Sequence, residues 1–441
     1  MSDDRYGPWL DHDALNRALL ARQHLAPRPD ARATTASDAA AGVVAEVDHL
    51  VGLQSQVPSS PYPGLWSRVP GFATDDLGAR LLDRSVVRIA TLRGTVHLVT
   101  ADDAFELAAH ARPALVAYLR AKNQHGDALR DVDLGDLEQA ATDLLAEPLT
   151  SVELGRRLAA RWPDVDPKHL AYGARCLLPL VQVPPRGLWG ASGPGTTTTW
   201  TTAHAWLGGP TRRSADELDA VATASDPEAV LAARVRLVRR YLAAFGPATV
   251  ADVQRWSGLT RLRPAVEALR PELVTFTGPG RQDTGPTSAR SAGAPRGVEL
   301  LDLADAPRPP GDEPVPVVLA ADFDNLLLAH DDRTRVLGAV AVKQVVSING
   351  QVAATVLVDG RVAGTWVWTL DTAGDEAVAR VDVRPLVPAG TSADDTGSSI
   401  GAPHPAARLA EAGVRDEVVA RAEDWLRVAA PEARPSVVVH A

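Results

Sequence analysis

The chain has little of several features that mark common classes of protein. Its 441 residues include one cysteine, Cys176, which excludes an intramolecular disulfide and a cysteine-based zinc site. Aromatic residues make up only 5%, so we do not expect base stacking on an aromatic platform to be the main binding mode. No apolar run is long enough to span a membrane, and the first residues lack a basic segment followed by an apolar stretch. These absences predict a cytoplasmic protein with no membrane association.

Motifs of nucleotide-dependent and metal-dependent enzymes are also missing. The sequence contains no Walker loop, no Rossmann glycine fingerprint and no His-Glu-x-x-His. Acidic residues cluster at 322–325 and 330–333, but these runs lack the glycine that a calcium loop requires. We therefore interpret Asp322, Asp324 and Asn325 as structural hydrogen-bonding residues. The sequence predicts no metal and no nucleotide cofactor.

The net charge of −10 argues against a nucleic-acid partner, because neutralisation of phosphates supplies much of the affinity of DNA-binding proteins. The charge is unevenly distributed, however. Residues 234–270 carry eight arginines, opposed only by Asp252 and Glu267. Such a segment is typical either of a solvated helix face or of a surface that contacts phosphate. The arginines in it that we predict to contact DNA are Arg239, Arg240, Arg255, Arg261 and Arg263.

The first part of the chain has the order of elements found in a winged helix. Apolar residues recur at helical spacing in 13–22, 41–54 and 75–83. Two β-type runs follow, at 86–92 and 95–99, separated by Arg93-Gly94, which is a hairpin signal. Helices followed by a hairpin predict a winged helix, with the hairpin as its wing.

The same order occurs twice more. Residues 134–146, 154–161 and 167–178 are predicted helices, with a helix start at 150–153 and a strand from 181. Residues 228–244, 249–256 and 261–270 are predicted helices, and 273–276 is a predicted strand. A tight turn at 245–249 separates two of these helices, as helix-turn-helix units require. We expect winged helices at 1–125, 126–210 and 211–280.

Beyond residue 280 the pattern changes. Residues 281–297 are rich in Gly, Pro, Ser and Arg and are predicted to form a flexible loop. Residues 298–388 alternate with a period of two, with strands expected at 315–319, 345–348, 352–358, 362–370 and 377–383 and a hairpin turn at Asp359-Gly360. Residues 389–441 are predicted to hold a linker, a helix at 405–428 and a final strand at 436–440. The fold class is therefore α+β: three tandem winged-helix units with a C-terminal antiparallel β-rich module.

Gln54 places a polar amide on the apolar stripe of the second predicted helix. Burying an amide costs about 1–3 kcal/mol unless its hydrogen bonds are satisfied. One interpretation is structural, with Gln54 capping the carbonyls of the helix end and Gln56 facing water. The alternative is that both amides serve a function.

The predicted wing carries three further candidates. Arg93, at the hairpin tip, is well placed to meet phosphate or to enter a groove of DNA. Arg88 and His97 flank it on the two strands and are also predicted to bind DNA. For His97 the structural alternative is a satisfied histidine of the sheet.

Taken together, several short runs resemble the AlkZ-like family of winged-helix DNA glycosylases, and the resemblance covers most of residues 10–385. These runs are 52–56 (GLQSQ), 93–99 (RGTVHLV), 183–190 (VPPRGLWG), 256–259 (WSGL), 323–328 (FDNLLL) and 358–360 (VDG). The resemblance implies a C-shaped scaffold of three winged helices that cradles duplex DNA and removes bulky alkylated purines, with crosslink unhooking in some members. It also implies that Gln54 and Gln56 form the catalytic pair. Ser55 stands where the family has a hydrophobic residue.

We therefore expect a cofactor-free, monomeric DNA glycosylase that acts on damaged double-stranded DNA. The chemistry is compatible with two amides, because a guanine alkylated at ring nitrogen seven is already cationic and leaves as a neutral base. The amides would position a water and stabilise charge on the deoxyribose. The alternatives are a winged-helix regulator without catalysis, or a protein that binds damage without excising it.

Overall fold

The computed structural model describes residues 6–26, 36–191, 196–280, 297–386 and 405–440. The predicted loop at 281–297 and the predicted linker at 389–404 lie outside the described residues, apart from residue 297. The fold is α+β, as predicted. None of the helices described is both long and apolar enough to cross a lipid bilayer.

The first helix-and-hairpin set ends in the predicted hairpin. Its helices are α1 (His12–Arg22), α2 (Ala36–His49), α3 (Pro61–Trp66) and α4 (Thr74–Leu82), and its strands are β1 (Leu53–Gln54), β2 (Val86–Ala90) and β3 (Val96–Thr100). The prediction that α2 continues through Gln54 is wrong. The helix ends at His49 because Val51 and Gly52 have φ of 54° and 98°, which an α-helix does not allow. Gln54 therefore lies on a strand instead of a helix.

The second set contains three helices that the sequence pattern did not reveal, two at its start and one at its end. Its elements are α5 (Ala101–Arg120), α6 (Gln124–Ala128), α7 (Leu134–Leu144), β4 (Leu149–Thr150), α8 (Ser151–Leu158), α9 (Pro167–Leu177), β5 (Leu180–Gln182), β6 (Thr199–Thr202) and α10 (Ala203–Leu207). The predicted helix start at 150–153 is confirmed, since the Thr150 hydroxyl accepts a hydrogen bond from the Glu153 amide.

The hairpins of these two sets join into one six-stranded sheet with the strand order β1-β3-β2-β5-β6-β4. The junction is the antiparallel pairing of β2 with β5, in which Arg88 faces Gln182 and Ile89 faces Val181. Each hairpin thereby covers an edge that the other would otherwise expose. The short strand β1 lies at one edge of this sheet.

The third set carries the arginine-rich segment. Its elements are α11 (Ala215–Thr223), α12 (Pro227–Phe245), α13 (Val250–Ser257), α14 (Arg263–Leu269), β7 (Leu273–Gly278) and β8 (Val298–Leu303). The tight turn predicted between α12 and α13 is confirmed, with Thr249 and Asp252 forming a capping box. Strand β8 pairs with β7 along its whole length, although the sequence pattern grouped residue 298 onward with the later strands.

The C-terminal region contains a five-stranded sheet with the order β13-β12-β11-β10-β9. Its elements are β9 (Val318–Ala320), α15 (Asn325–Leu328), α16 (Thr334–Leu337), α17 (Val342–Val345), β10 (Thr355–Val358), β11 (Arg361–Asp371), β12 (Val378–Pro385), α18 (Pro405–Arg408), α19 (Ala412–Ala429) and β13 (Arg434–Val439). The predicted turn at Asp359-Gly360 is confirmed, with positive φ at both residues and β10 paired to β11 across it.

Three details of this region differ from the sequence prediction. The sheet is not wholly antiparallel, because β13 runs parallel to β12. The long helix α19 lies between them and supplies the crossover that parallel strands need. The strand predicted at 345–348 is wrong, since Val345 ends a helical turn and only Val346 forms a bridge, to Val352. The helix predicted at 405–428 is two helices.

One hydrophobic core connects the sets. It includes Leu20 of α1, Val87 of β2, Val238 of α12 and Leu327 of α15. Burying this shared apolar surface holds the C-terminal region against the first and third sets. The segment after β9 lies close to β1, since Asn325 binds the Gly52 carbonyl oxygen.

Candidate active site

The two glutamines lie in a short segment, residues 52–57, that we call the Gln loop. Strand β1 pairs antiparallel with β3, so that Gln54 faces His97. Gly52 makes this approach possible, because a Cβ at its φ of 98° would lie 2.8 Å from Val99 Cγ1 and 2.9 Å from the Leu98 carbonyl oxygen. From the other side, Asn325 Nδ2 donates a hydrogen bond of 3.0 Å to the Gly52 carbonyl oxygen. The Gln loop is therefore held by the hairpin and by the C-terminal region.

The side chains of the two glutamines are presented differently. Gln54 is buried, and its Oε1 accepts a hydrogen bond of 2.8 Å from Arg93 Nη2. This bond fixes the orientation of the amide. Its Nε2 has no acceptor among the described residues and can therefore donate to a ligand. Gln56 is exposed, and its Oε1 accepts only a long hydrogen bond of 3.4 Å from the Val96 amide. The pair thus offers a fixed donor at Gln54 and an accessible acceptor at Gln56.

Arg93 connects the Gln loop to the third set. Its Nη2 also donates to His97 Nε2 at 3.2 Å, and its Nη1 donates to the carbonyl oxygen of Trp256 at the end of α13. A left-handed backbone at Gly258 lets α13 end against Arg93, because a Cβ there would lie 3.0 Å from Arg93 Cα. Arg93 lies at the turn of the hairpin, as predicted, but it is half-buried, and its Nη1 and Nη2 donate to protein groups.

His97 helps to position Arg93 by accepting one of its hydrogen bonds. It is buried, and its Nδ1 donates to the Thr95 carbonyl oxygen at 3.0 Å, which leaves Nε2 as the acceptor for Arg93. Burial, with the charge of Arg93, lowers the pKa of His97 to about 3, so the imidazole is neutral at neutral pH. The predicted contact of His97 with DNA does not fit this burial. The side chain acts on the site through Arg93.

Arg88 lies beneath the Gln loop and not on its surface. It is 2% exposed, and it donates from Nε to the Ser55 hydroxyl and from Nη2 to the Ser55 carbonyl oxygen, both at 2.9 Å. Burial and the charge of Arg186 lower the pKa of Arg88 to about 10. Its predicted contact with DNA does not fit this position. Ser55, in turn, provides an acceptor that a hydrophobic side chain would not.

The comparisons with known proteins identify the family of the chain. The model of the family described as DNA glycosylase AlkZ-like matches residues 47–428, which include the Gln loop, Arg93 and α13. The chain belongs to the AlkZ-like DNA glycosylase family. It is thus an enzyme of DNA repair, and its substrate is DNA. The DNA glycosylase AlkZ of Streptomyces sahachiroi has a similar fold, with a TM-score of 0.63 and 18% identity over 98% of this chain and 100% of that one. None of the curated proteins compared with the chain matches it significantly.

In this AlkZ-like enzyme, many arginines of the predicted basic segment are neutralised by carboxylates. Arg240 donates to both carboxylate oxygens of Asp103, at 2.7 and 2.6 Å. Arg239 pairs with Glu272 at 2.5 Å, although its side chain is half exposed. Arg236 and Arg270 are also paired, with Glu106 and Glu217 and with Glu267 and Glu299 respectively. The charges of Arg239 and Arg240 are thus engaged within the protein.

Three predicted DNA-binding arginines are exposed and have no ion-pair partner in the part of the chain that the structure describes. Arg255, near the end of α13, and Arg261 and Arg263, just beyond it, form no ion pair with any residue that the structure describes. The Leu262 amide donates to Gln254 Oε1 at 3.1 Å, which folds this loop back on α13. The three arginines therefore flank the end of α13, at Trp256 and Gly258, that Arg93 contacts.

One residue near the AlkZ-like site, Arg333, was missed by sequence reasoning, whereas the acidic cluster was interpreted correctly. Arg333 is buried, and the charge of Arg255 helps burial to lower its pKa. No spacing signal connects it to the Gln loop, because only the tertiary fold brings them together. The structural interpretation of the acidic cluster is confirmed: Asp324 binds buried Arg68, Asp322 accepts from Ser60, and Asn325 holds Gly52. The described residues contain no group of three or more His, Cys, Asp or Glu side chains that could hold a metal ion.

Proposed function

We propose that the enzyme hydrolyses the N-glycosidic bond of alkylated purines in duplex DNA, with bulky or crosslinked guanine adducts as its substrate class. The observation that carries this proposal is the complementary presentation of Gln54 and Gln56. One amide is fixed as a donor by Arg93, and the other offers an accessible carbonyl oxygen beside it. Arg255 on α13, which forms no ion pair with a described residue, adds positive charge beside Arg93, the residue that binds Gln54.

The two glutamines take different parts in the proposed reaction. Gln56 Oε1 accepts a hydrogen bond from the attacking water and orients its lone pair toward the anomeric carbon. Gln54 Nε2 donates either to that water or to the departing base, since its Oε1 is occupied by Arg93. An N7-alkylated guanine leaves as a neutral base, so orientation and fixed dipoles suffice without a carboxylate acid.

The scaffold proposed for this reaction is a set of three winged helices that cradles the duplex. The three helix-and-hairpin sets described above support it, as does the union of the first two hairpins in one sheet. We propose that the enzyme acts as a monomer on damaged DNA in the cytoplasm, at the nucleoid. Light scattering with and without a duplex oligonucleotide tests the stoichiometry.

The proposed activity is tested by base release from a duplex that carries a single guanine alkylated at ring nitrogen seven. The wild-type enzyme is compared with Gln54→Ala/Gln56→Ala and with Gln139→Ala, a matched change of an exposed glutamine on α7. We expect release by the wild type and by Gln139→Ala, and none by the folded double variant. Full activity in the double variant contradicts the proposed roles. Binding of the lesion without release by the wild type supports a damage-binding protein, and preference for one undamaged sequence supports a regulator.

A further inference from the structure

Three arginines from distant parts of the chain meet beside the Gln loop without an ion-paired carboxylate to neutralise them. We propose that Arg93, Arg255 and Arg333 form a binding site for one backbone phosphate of the DNA strand that carries the lesion. This inference rests on the proposed function for its location next to the catalytic glutamines. We call these three residues the arginine cluster.

The packing of α13 brings the cluster together. Arg93 Nη1 binds the carbonyl oxygen of Trp256, the residue that follows Arg255. On the opposite side, the amide of Asp331 donates to Asp252 Oδ1 at 2.8 Å, which fixes the turn leading to Arg333 against the same helix. Since Asp252 and Arg255 are one helical turn apart, Arg255 lies between the hairpin and this turn.

The acidic residue on the same helix as Arg255 is engaged elsewhere. Asp252 uses its other oxygen, Oδ2, to accept from the amide and the hydroxyl of Thr249, at 2.8 and 2.9 Å. Its carboxylate therefore satisfies backbone and hydroxyl donors and binds no guanidinium of the cluster. None of the three arginines forms an ion pair with a carboxylate within the described ranges 6–26, 36–191, 196–280, 297–386 and 405–440.

The electrostatics of the cluster are consistent with the absence of a neutralising partner. Burial first, and then the charges of Arg255 and Arg333, lower the pKa of Arg93 to about 10. Burial and the charge of Arg255 lower the pKa of Arg333, and Asp331 only partly opposes this. Like charges at partly desolvated positions repel one another, so an anion that enters between them is stabilised.

Other arginines in the same protein contrast with this cluster. Arg22 is bound by Asp302 at 2.7 Å, Arg68 by Asp324 at 2.8 Å, and Arg240 by Asp103 at 2.6 Å. These pairs neutralise buried or half-buried guanidinium groups inside the protein. In the arginine cluster, the neutralising negative charge comes from a bound ligand.

A DNA phosphate fits the chemistry of the cluster. Guanidinium groups bind phosphate oxygens through parallel N–H donors, and most protein contacts that position DNA are made to its backbone. Arg93 belongs to this anion site and also binds Gln54 Oε1, at 2.8 Å. A phosphate held by the cluster therefore fixes the backbone within reach of the Gln54 amide. Arg255 and Arg333 are assigned as phosphate ligands, and Arg93 as the residue that couples phosphate binding to the position of Gln54.

The test measures binding without requiring catalysis. Gln54→Ala/Gln56→Ala provides a background in which no base is released, and duplexes carry one neutral methylphosphonate at each position around the lesion in turn. We expect one position to weaken binding by about tenfold, and Arg255→Gln or Arg333→Gln to weaken binding to the all-phosphate duplex by a similar factor. The variants should then be insensitive to the methylphosphonate at that position. The slope of log K against log salt should fall by about 0.9 for each phosphate that a variant no longer neutralises.

Controls separate this site from general charge effects and from loss of fold. Arg434→Gln removes an exposed arginine on β13 and should leave affinity and the methylphosphonate profile unchanged. Arg255 is exposed, so Arg255→Gln keeps the test decisive if Arg333→Gln does not fold. Wild-type affinity and an unchanged methylphosphonate profile in folded Arg255→Gln would overturn the proposal. If the wild-type enzyme releases no base, a methylphosphonate effect that disappears in the arginine variants would support the cluster and reject the proposed function.

Discussion

Arg88 donates two hydrogen bonds to Ser55, one to its hydroxyl and one to its carbonyl oxygen, directly beneath the two glutamines. Both residues are buried, and Arg88 Nη1 is buried without a further partner among the described residues. The serine between the glutamines therefore provides hydrogen-bond acceptors for the buried guanidinium group of Arg88.

The hydrogen bonds between Arg88 and Ser55 predict how substitutions at these two positions change the free energy of unfolding. Ser55→Leu restores the hydrophobic residue of the family pattern but removes the acceptor of a charged donor, so we expect the free energy of unfolding to fall by about 1.5–3 kcal/mol. Urea unfolding measures this. The double variant Arg88→Met/Ser55→Leu removes both partners and should recover part of the loss. A double variant no more stable than Ser55→Leu would argue against the pairing as its cause.

Arg93 is expected to act by orienting Gln54. Arg93→Lys keeps a positive charge but cannot bind Gln54, His97 and Trp256 together, as the planar guanidinium does. We expect the single-turnover rate of base release to fall by about tenfold to a hundredfold, in keeping with poorer orientation of a catalytic group. Binding of the duplex should change less than the rate. Equal losses in binding and rate would indicate a role in DNA binding alone.

The lowered pKa of buried His97 predicts that the stability of the protein depends on pH. Its folded pKa of about 3 lies below the ordinary value of 6.5, so below 6.5 the unfolded chain takes up a proton that the folded chain does not. Well above pH 6.5 this histidine therefore has no effect on the free energy of unfolding. As the pH drops from 6.5 toward 3, the free energy of unfolding falls. Between about pH 7.5 and about pH 5.5, the loss attributable to one such histidine is about 1 kcal/mol.

The variant His97→Gln isolates this contribution, because glutamine can accept from Arg93 but does not titrate. Urea unfolding of the variant should show a smaller fall in stability over the same pH interval than the wild type shows. His110, whose pKa burial lowers to about 4, remains in both proteins and serves as an internal background. Identical pH profiles for the two proteins would contradict the buried neutral state of His97.

Gly52 is expected to be essential for the Gln loop. Gly52→Ala places a Cβ against Val99 and the Leu98 carbonyl oxygen at a φ of 98°, so β1 should detach from β3. We expect a loss of about 1–3 kcal/mol in stability together with loss of base release. Gly78→Ala is the matched control, because nothing lies within 4 Å of a Cβ there, on α4. The control should be neutral or more stable by up to about 1 kcal/mol. Wild-type activity in Gly52→Ala would show that this close approach is dispensable.

The amino-acid sequence determined the local elements and the family. Helix periodicity and the caps at Thr150 and Thr249 set helix starts, and Asp359-Gly360 set a hairpin, because these effects act between residues within a turn or two of each other. Short runs around the Gln loop and Arg93 carried the resemblance to the AlkZ-like family, which the family match then confirmed. The site residues themselves remain predictions.

Only the tertiary structure decided how those residues are used. Helix α2 ends before Gln54 because the loop is held by β3 and by Asn325, which is far away in the sequence. Arg240 is neutralised by Asp103 whereas Arg255 forms no ion pair with a described residue, although both belong to one basic segment. Desolvation and charge pairing depend on which distant groups the fold brings within a few ångströms. For this reason the sequence could place an arginine on a helix but could not say whether its charge faces a carboxylate, a glutamine or DNA.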